Sequence, residues 1–525
     1  MKKHFLILYF LFTAIAINLF AANTKNDNIS SEIKRLGTLL YAIDKYYVDS
    51  IDINELTSNA IVEVLHKLDP HSSFLSKEEK EISAEAFHGS FVGIGVQYRV
   101  ENDTILVTNT TTGCPAEKAG ILPNDKIIFV GKTQISGVGM SVSEIRSLIR
   151  GPIGSAITLE IKRPNVKNLM HFQLNRGRIP INSVEAHYMI NNEVGYIRIN
   201  RFAENTILEV VTAIDEMIAK GMTKLVIDLE YNGGGYMNTA IELANLFIDN
   251  GKLILYTAGD KQSKQEFYTT KKARYADMPI AVVINKYSAS ASEIFSGAIQ
   301  DWDRGIIVGE RSFGKGLVQR PLALPDGSEV RLTIARYYTP SGRFIQKDFE
   351  NNFRLNEDIK TYISESKKTL VLNRVVNSGN GILPDIQVKP DSIYFNETYA
   401  AILSNGIIDK CLLNYLTENK KQLIKTYKDF DSYNANFDES PIINDIKEVC
   451  KKQNFVFSDK QWTSAQKILR LRIKAAVAER LFENISYYYQ IMNSENSSIR
   501  QATQSLNEIN ENITIIDKLI ELNNL

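Results

Sequence analysis

Leu225-Val226-Ile227-Asp228-Leu229 is apolar at every position but one and breaks directly into Asn232-Gly233-Gly234-Gly235. A strand without polar alternation must be buried on both faces, which is the habit of a parallel sheet. A second such run, residues 279–284, leads into Ser288-Ala289-Ser290-Ala291-Ser292-Glu293. Shorter strands are expected over 194–199 and 305–309, with amphipathic helices over 206–220, 237–247 and 290–300. Strand alternating with helix across 179–345 predicts an α/β core. In such a core the site belongs at the carboxyl ends of the strands, where both small-residue loops fall.

Other regions have a different grain. At 525 residues the chain has room for about three or four domains. Lys2 and Lys3, an apolar run over 5–20 and Ala21-Ala22 follow the pattern of a secretory signal peptide, 1–22. Bulky Leu19 and Phe20 weaken the cleavage signal, so an uncleaved membrane anchor is the alternative. Either way the body is expected to be exported, in the periplasm or anchored to the inner membrane facing it. Residues 23–88 read as a helical region closed by the turn Leu68-Asp69-Pro70-His71-Ser72. Residues 89–178 read as a glycine-punctuated β-rich module with two short helices, closed by a strand over 157–161. The core is expected to extend to 390. Residues 391–525, poor in glycine and rich in Lys, Glu, Asn, Leu and Ile, read as a helical C-terminal domain, with one long helix over 465–489. Lys plus Arg and Asp plus Glu both number 61, so no net charge attracts nucleic acid. Cys114, Cys411 and Cys450 match no metal spacing. Cys411 and Cys450 could pair in an oxidising compartment, an unpaired buried thiol being the plainer expectation.

Ser290 sits just past a buried strand and opens a helix, so the Ala291 N–H and the helix dipole would face a developing oxyanion. The competing reading is structural, because Ser290 and Glu293 have the spacing of a helix capping box. Lys315 follows 25 residues later in Gly309-Glu310-Arg311-Ser312-Phe313-Gly314-Lys315-Gly316. This matches the opening of a phosphate-binding loop but lacks the hydroxyl residue at 316, and a strand rather than a helix follows. A lysine serves as a base only if burial lowers its pKa. Phe313 and Leu317 are candidates for the apolar wall, and Gln319, two residues beyond Leu317, for holding the amine. The glycines at 233–235 let backbone donors approach a reacting carbonyl, a bare tight turn being the alternative. All six histidines precede Ser290. His71 reads as a turn-capping or surface residue, a ligand or base being the alternative, while His171 or His187 would be the base in a Ser–His hydrolase.

Together, Ser288 to Ile294, Phe313-Gly314-Lys315-Gly316 and Val318-Gln319 resemble the carboxy-terminal processing (tail-specific) serine peptidases. The resemblance runs over about residues 35–390 and includes Leu68 to Ser72, Tyr338-Thr339-Pro340-Ser341-Gly342 and Gly381-Ile382-Leu383-Pro384-Asp385. It implies a Ser290–Lys315 dyad with Gln319 orienting the lysine, and an oxyanion hole at the Gly234 and Ala291 N–H groups. It also implies that the β-rich module is a PDZ domain that binds C-terminal tails by strand addition through Phe91-Val92-Gly93-Ile94-Gly95-Val96. No metal or cofactor is implied, and the partners would be proteins with exposed, apolar C-termini. The chain departs from the family where Glu230 and Gly233 replace Arg and Pro, where about 30 residues separate Lys347 from Gly381, and in its helical extension. The expectation is an exported serine endopeptidase; the alternative is a catalytically inactive PDZ adaptor or chaperone.

Overall fold

The computed structural model describes residues 28–348, 365–394 and 396–524. The expected signal segment, and residues 349–364 of the insertion after Lys347, lie outside the described residues. Among the described residues no helix is long and apolar enough to cross a membrane.

The core is a six-stranded sheet in the order Val184–Met189, Val194–Ile199, Lys224–Asp228, Ile280–Ile284, Ile306–Gly309, Ile386–Gln387. The first pair is antiparallel and the rest are parallel. Side chains alternate across it as the strand period demands. Leu225, Ile227, Ile280, Val282 and Ile284 pack against the helices Thr206–Ile218, Met237–Asn245 and Ala291–Asp301. Val226, Ala281, Val283, Ile306 and Val308 face the other way and meet Ile499, Ala502, Leu506 and Leu519. Those last residues come from the helices Ser497–Asn507 and Ile515–Asn523. The region expected to stand apart as a helical domain therefore covers one face of the sheet.

A second sheet runs beside the site. Its ten-residue strand Glu329–Tyr338 pairs with Leu317–Ala323 along one edge, and with Ser73–Leu75 and Leu253–Gly259 along the other. Ser73–Leu75 comes from the region expected to be helical, whose helices are 28–46, Ile53–His66 and Lys77–His88.

The glycine-punctuated module has its own apolar core, including Ile105, Val107, Ile127, Ile145, Ile157 and Ile161. Its two short helices are Pro115–Lys118 and Val142–Ile149, the second opened by a Ser141–Glu144 capping box. The strand Ala156–Lys162 does not close the module, because Met170–Asn175 pairs with it antiparallel. A two-stranded ribbon, Ser90–Gly93 with Gly177–Pro180, joins the module to the core.

The C-terminal region builds a separate helical core around Asp459–Phe482. The single long helix expected over 465–489 is broken instead. Glu483 takes a left-handed conformation, and the Asn484 side chain caps the next helix, Ile485–Met492. This region also touches the β-rich module, where Asn124 Nδ2 donates to Thr417 Oγ1 at 2.5 Å and Lys410 pairs with Glu101 at 3.5 Å. Cys114, Cys411 and Cys450 are buried free thiols.

Candidate active site

Ser290 stands at a sharp strand-to-helix turn with φ 56° and ψ −112°, a conformation that costs a non-glycine residue energy and clusters at functional sites. The preceding loop over-determines it. Ser288 Oγ donates to the Leu229 carbonyl at 2.8 Å and accepts from the Asn285 amide at 2.9 Å, and the Ala289 amide donates to the Asn232 carbonyl at 3.0 Å. The capping reading and the nucleophile reading turn out to be compatible. The Ser290 amide donates to the Glu293 carboxylate at 2.9 Å, which fixes the serine backbone while Ser290 itself stays only half-buried.

Glu293 does more than close a cap. One of its oxygens accepts from the Ser290 and Lys315 amides, each at 2.9 Å. The other accepts from Ser312 Oγ at 2.5 Å and the Gly314 amide at 2.7 Å. One buried carboxylate thus clamps the serine turn to the lysine loop. Burial pushes the Glu293 carboxyl up to about 7, against the pull of these hydrogen bonds. Its role was invisible in sequence, because three of the four donors come from the 312–315 loop.

Lys315 has its pKa lowered from that of an ordinary amine, first by burial and then by the Arg331 cation, with Glu293 and Asp69 opposing. The wall around it differs from expectation. Leu317 is buried, but Phe313 is 37% exposed and packs on the His71 ring at 6.3 Å. His71 is not a surface residue. Burial and the Lys315 charge hold its imidazole down to about 4. The turn around it is capped by Asp69, whose carboxylate accepts from the His71 amide at 2.8 Å and the Ser72 amide at 2.7 Å.

The ladder between Leu317–Ala323 and Glu329–Tyr338 shifts register beside Gln319, with Ile334 of the longer strand as the extra residue. Gln319 lies opposite Thr333 and donates to its Oγ1 at 3.2 Å; Thr333 Oγ1 in turn donates to Asp69 Oδ1 at 3.1 Å.

Gly234 sits directly against the serine turn. At its φ of 105°, a Cβ would lie 2.8 Å from the Ala289 oxygen and 2.9 Å from Ser290 Cβ, so only glycine fits. Its N–H donates to Asn232 Oδ1 at 2.8 Å, and a Gly234–Ser290–Ala291 cluster forms, since the same Cβ would approach the Ala291 nitrogen to 3.1 Å. His187 lies on the edge strand and pairs with Glu216 at 2.9 Å, while His171 lies on the β-rich module near Glu160 at 3.6 Å. The structure brings neither to the serine turn. Among the described residues no three His, Cys, Asp or Glu side chains gather as metal ligands would.

The β-rich module carries a groove of about 280 Å³ between the strand Val96–Val100 and the helix Val142–Ile149. Phe91, Ile94, Gly95 and Val96 line it; Val92 and Gly93 do not, being paired with Arg178 and Gly177 in the connecting ribbon. Gly95 has φ 79°, and a Cβ there would lie 2.5 Å from Cys114 Cβ.

A strained serine turn, a half-buried lysine with a lowered pKa and a peptide-sized groove on an adjoining module define a serine peptidase. Sequence comparison agrees. The profile of peptidase family S41 matches residues 193–361, that of the PDZ domain matches 106–163, and a family of unknown function matches 398–483. The carboxy-terminal processing protease CtpA of Bacillus subtilis is 35% identical over 357 residues, covering 66% of this chain and 75% of the relative. A carboxy-terminal-processing protease of Bartonella bacilliformis is 36% identical over 343 residues, covering 64% of this chain and 78% of the relative. Among solved structures, the photosystem II D1 C-terminal processing protease matches at 26% identity, with a TM-score of 0.36, over 67% of this chain and 92% of the other. The chain belongs to peptidase family S41, with the carboxy-terminal processing serine proteases.

Proposed function

We propose that this protein is an exported endopeptidase that captures C-terminal tails in its PDZ groove and cuts peptide bonds with a Ser290–Lys315 dyad. The observation that carries this reading is the Glu293 clamp, one carboxylate oxygen shared at 2.9 Å by the Ser290 and Lys315 amides. Neutral Lys315 would take the Ser290 hydroxyl proton as Oγ attacks the scissile carbonyl. The oxyanion would be met by the Ala291 and Gly234 N–H groups. Lys315 would then protonate the leaving amine, and water would release the acyl-enzyme. One hydrogen bond must be exchanged on the way, since the Gly234 N–H has to leave Asn232 Oδ1. Gln319, held by its Nε2 donation to Thr333, would orient the lysine through its amide oxygen. Export rests on the pattern over 1–22, and the tail preference on the apolar groove residues Phe91, Ile94 and Val96.

The test is cleavage of an unfolded protein with an apolar C-terminus by the export-processed chain. Ser290→Ala and Lys315→Ala should each reduce cleavage by about 10⁴-fold or more with the fold intact. Unchanged proteolysis in both variants would sink the dyad, and no proteolysis in any form would leave the adaptor reading.

A further inference from the structure

The loops that carry Gly234, Ser290 and Lys315 leave the ends of three adjacent strands of the core sheet. Each has a far part at the proposed dyad and a near part directed elsewhere. The near parts hold Glu230, Tyr231, Lys286, Tyr287 and Glu310. With Tyr489 of the C-terminal helical region they line a cleft of about 340 Å³. The near parts are tied to each other and to the strands. The Tyr231 and Tyr287 amides both donate to Asn285 Oδ1, at 3.1 and 3.0 Å, and the Glu310 amide donates to the Ile284 carbonyl at 3.0 Å.

Tyr231 and Tyr287 stack at 5.2 Å with an interplanar angle of 19°, yet remain 64% and 51% exposed. Tyrosine faces in this cleft already hold cations. Lys286 Nζ lies 5.3 Å from the Tyr287 ring centre, and the Arg198 guanidinium lies 4.9 Å from that of Tyr489. The cleft's own charges leave carboxylate in excess. Arg198 is committed to Asp228 at 2.5 Å and Glu185 at 3.2 Å. Glu230 has one oxygen bonded by Asn496 Nδ2 at 2.8 Å. Burial pushes Glu230 up to about 8, Asp228 and Glu310 push it the same way, and burial also raises Glu310. Burial is the main cause in both, opposed by Arg198 at Glu230 and by Lys286 at Glu310. Asp391 adds a third carboxylate to the lining, so two cations, one of them committed, face three carboxylates.

We propose that this cleft is a recognition subsite for a basic side chain, Lys or Arg, of the polypeptide being cleaved. This rests on the peptidase reading above and adds to it the class of residue recognised near the scissile bond. The cation would lie on the Tyr231–Tyr287 pair between Glu230 and Glu310. The helical region, by supplying Tyr489 as the opposite wall, would share in specificity. The cleft differs from the PDZ groove in both chemistry and place, so the two would read different parts of one substrate.

The test begins with a digest of denatured, mixed-sequence peptides by the full chain, with cut sites mapped by mass spectrometry. Lys and Arg should be enriched at one position within a few residues of the cut. For a matched peptide pair differing only by Lys or Leu at that position, kcat/KM should favour Lys about tenfold. Glu230→Gln combined with Glu310→Gln should bring the Lys peptide down to the Leu peptide and leave the Leu peptide unchanged. Tyr287→Leu should do the same if the double variant fails to fold. No basic enrichment at any position, or a preference that survives these substitutions, overturns the subsite. If the wild-type chain cuts nothing, the peptidase reading has failed by itself. Anisotropy binding of fluorescent Lys and Leu peptides to Ser290→Ala then decides the cleft, since equal affinities overturn it and about tenfold tighter Lys binding supports it.

Discussion

The two faces of the core sheet are equally dry but are covered from different parts of the chain. On one face, Leu225, Ile227, Val282 and Ile284 meet helices threaded between the strands themselves, including the one that begins after Ser290. On the other, Val226, Ala281, Val283 and Val308 meet Ile499, Ala502, Leu506 and Leu519. The first face holds the chemistry, since Glu293 lies in its helix Ala291–Asp301 and all eleven residues of that helix are buried. The second face holds none of the proposed catalytic groups. Its contribution is burial, at about 1.5–3 kcal/mol for each fully buried aliphatic side chain. The lesson is that a helical extension without recognisable chemistry can be an integral layer of the enzyme.

That contrast can be broken most severely by deletion. Removing residues 485–524 would bare the second face, a loss comparable with the whole stability of a domain, about 5–15 kcal/mol. The truncated chain should lose cooperative thermal unfolding and soluble yield. A core that still melts cooperatively would make the helical layer dispensable. Leu506→Ala, a milder version, should cost about 2–5 kcal/mol in denaturant unfolding and leave kcat/KM unchanged.

On the first face, stability and catalysis should move together. Glu293→Gln replaces one acceptor oxygen with a donor, which breaks either the Ser290–Lys315 pair of bonds or the Ser312–Gly314 pair. A fall of about tenfold or more in kcat/KM is expected. The pH response has a definite sign. Glu293 holds its proton up to about 7 when folded, against 4.5 ordinarily. Its contribution to stability is therefore fully present below 4.5 and is lost as pH rises through 7, a change on the order of 3 kcal/mol. Denaturant unfolding at a series of pH values should show that decline in the wild type and a flatter line in Glu293→Gln. Equal slopes would mean the clamp is not titrating.

The smallest effect belongs to a residue on neither face. Arg331, on the strand Glu329–Tyr338, helps lower the Lys315 pKa. Arg331→Gln should let that pKa rise, so the acid limb of the kcat/KM–pH profile should move to higher pH. Activity near neutrality should fall a few-fold, about one pH unit's worth at most. Stability should change by less than about 1 kcal/mol, as for other half-exposed ion pairs. An unmoved limb would separate Arg331 from the lysine.

Much of this was legible in the residues. Uninterrupted strands told of a sheet buried on both sides, and the loops after 228 and 284 marked the edge where Gly234 and Ser290 lie. What was hidden depended on contacts across the chain. Glu293 was visible as a cap partner three residues from Ser290, but its other three donors lie on a loop about 20 residues further on. The partners that Gln319 meets, Thr333 and through it Asp69, come from a distant strand and turn that its local pattern could not name. His71 was read as a turn residue because its ring neighbour, Phe313, is remote in sequence. The general expectation of helix over 391–525 did not name the sheet that residues 499–519 would meet.

The source of the second face has a consequence for how the molecule comes into being. Strands 194–309 are synthesised well before the segment 499–519 that shields them. Until that segment arrives, half of the sheet has only water or a chaperone against it. Closing so long a loop is a late and slow event. The serine turn and the lysine loop, both anchored to those strands, then gain their rigid support only near the end of folding.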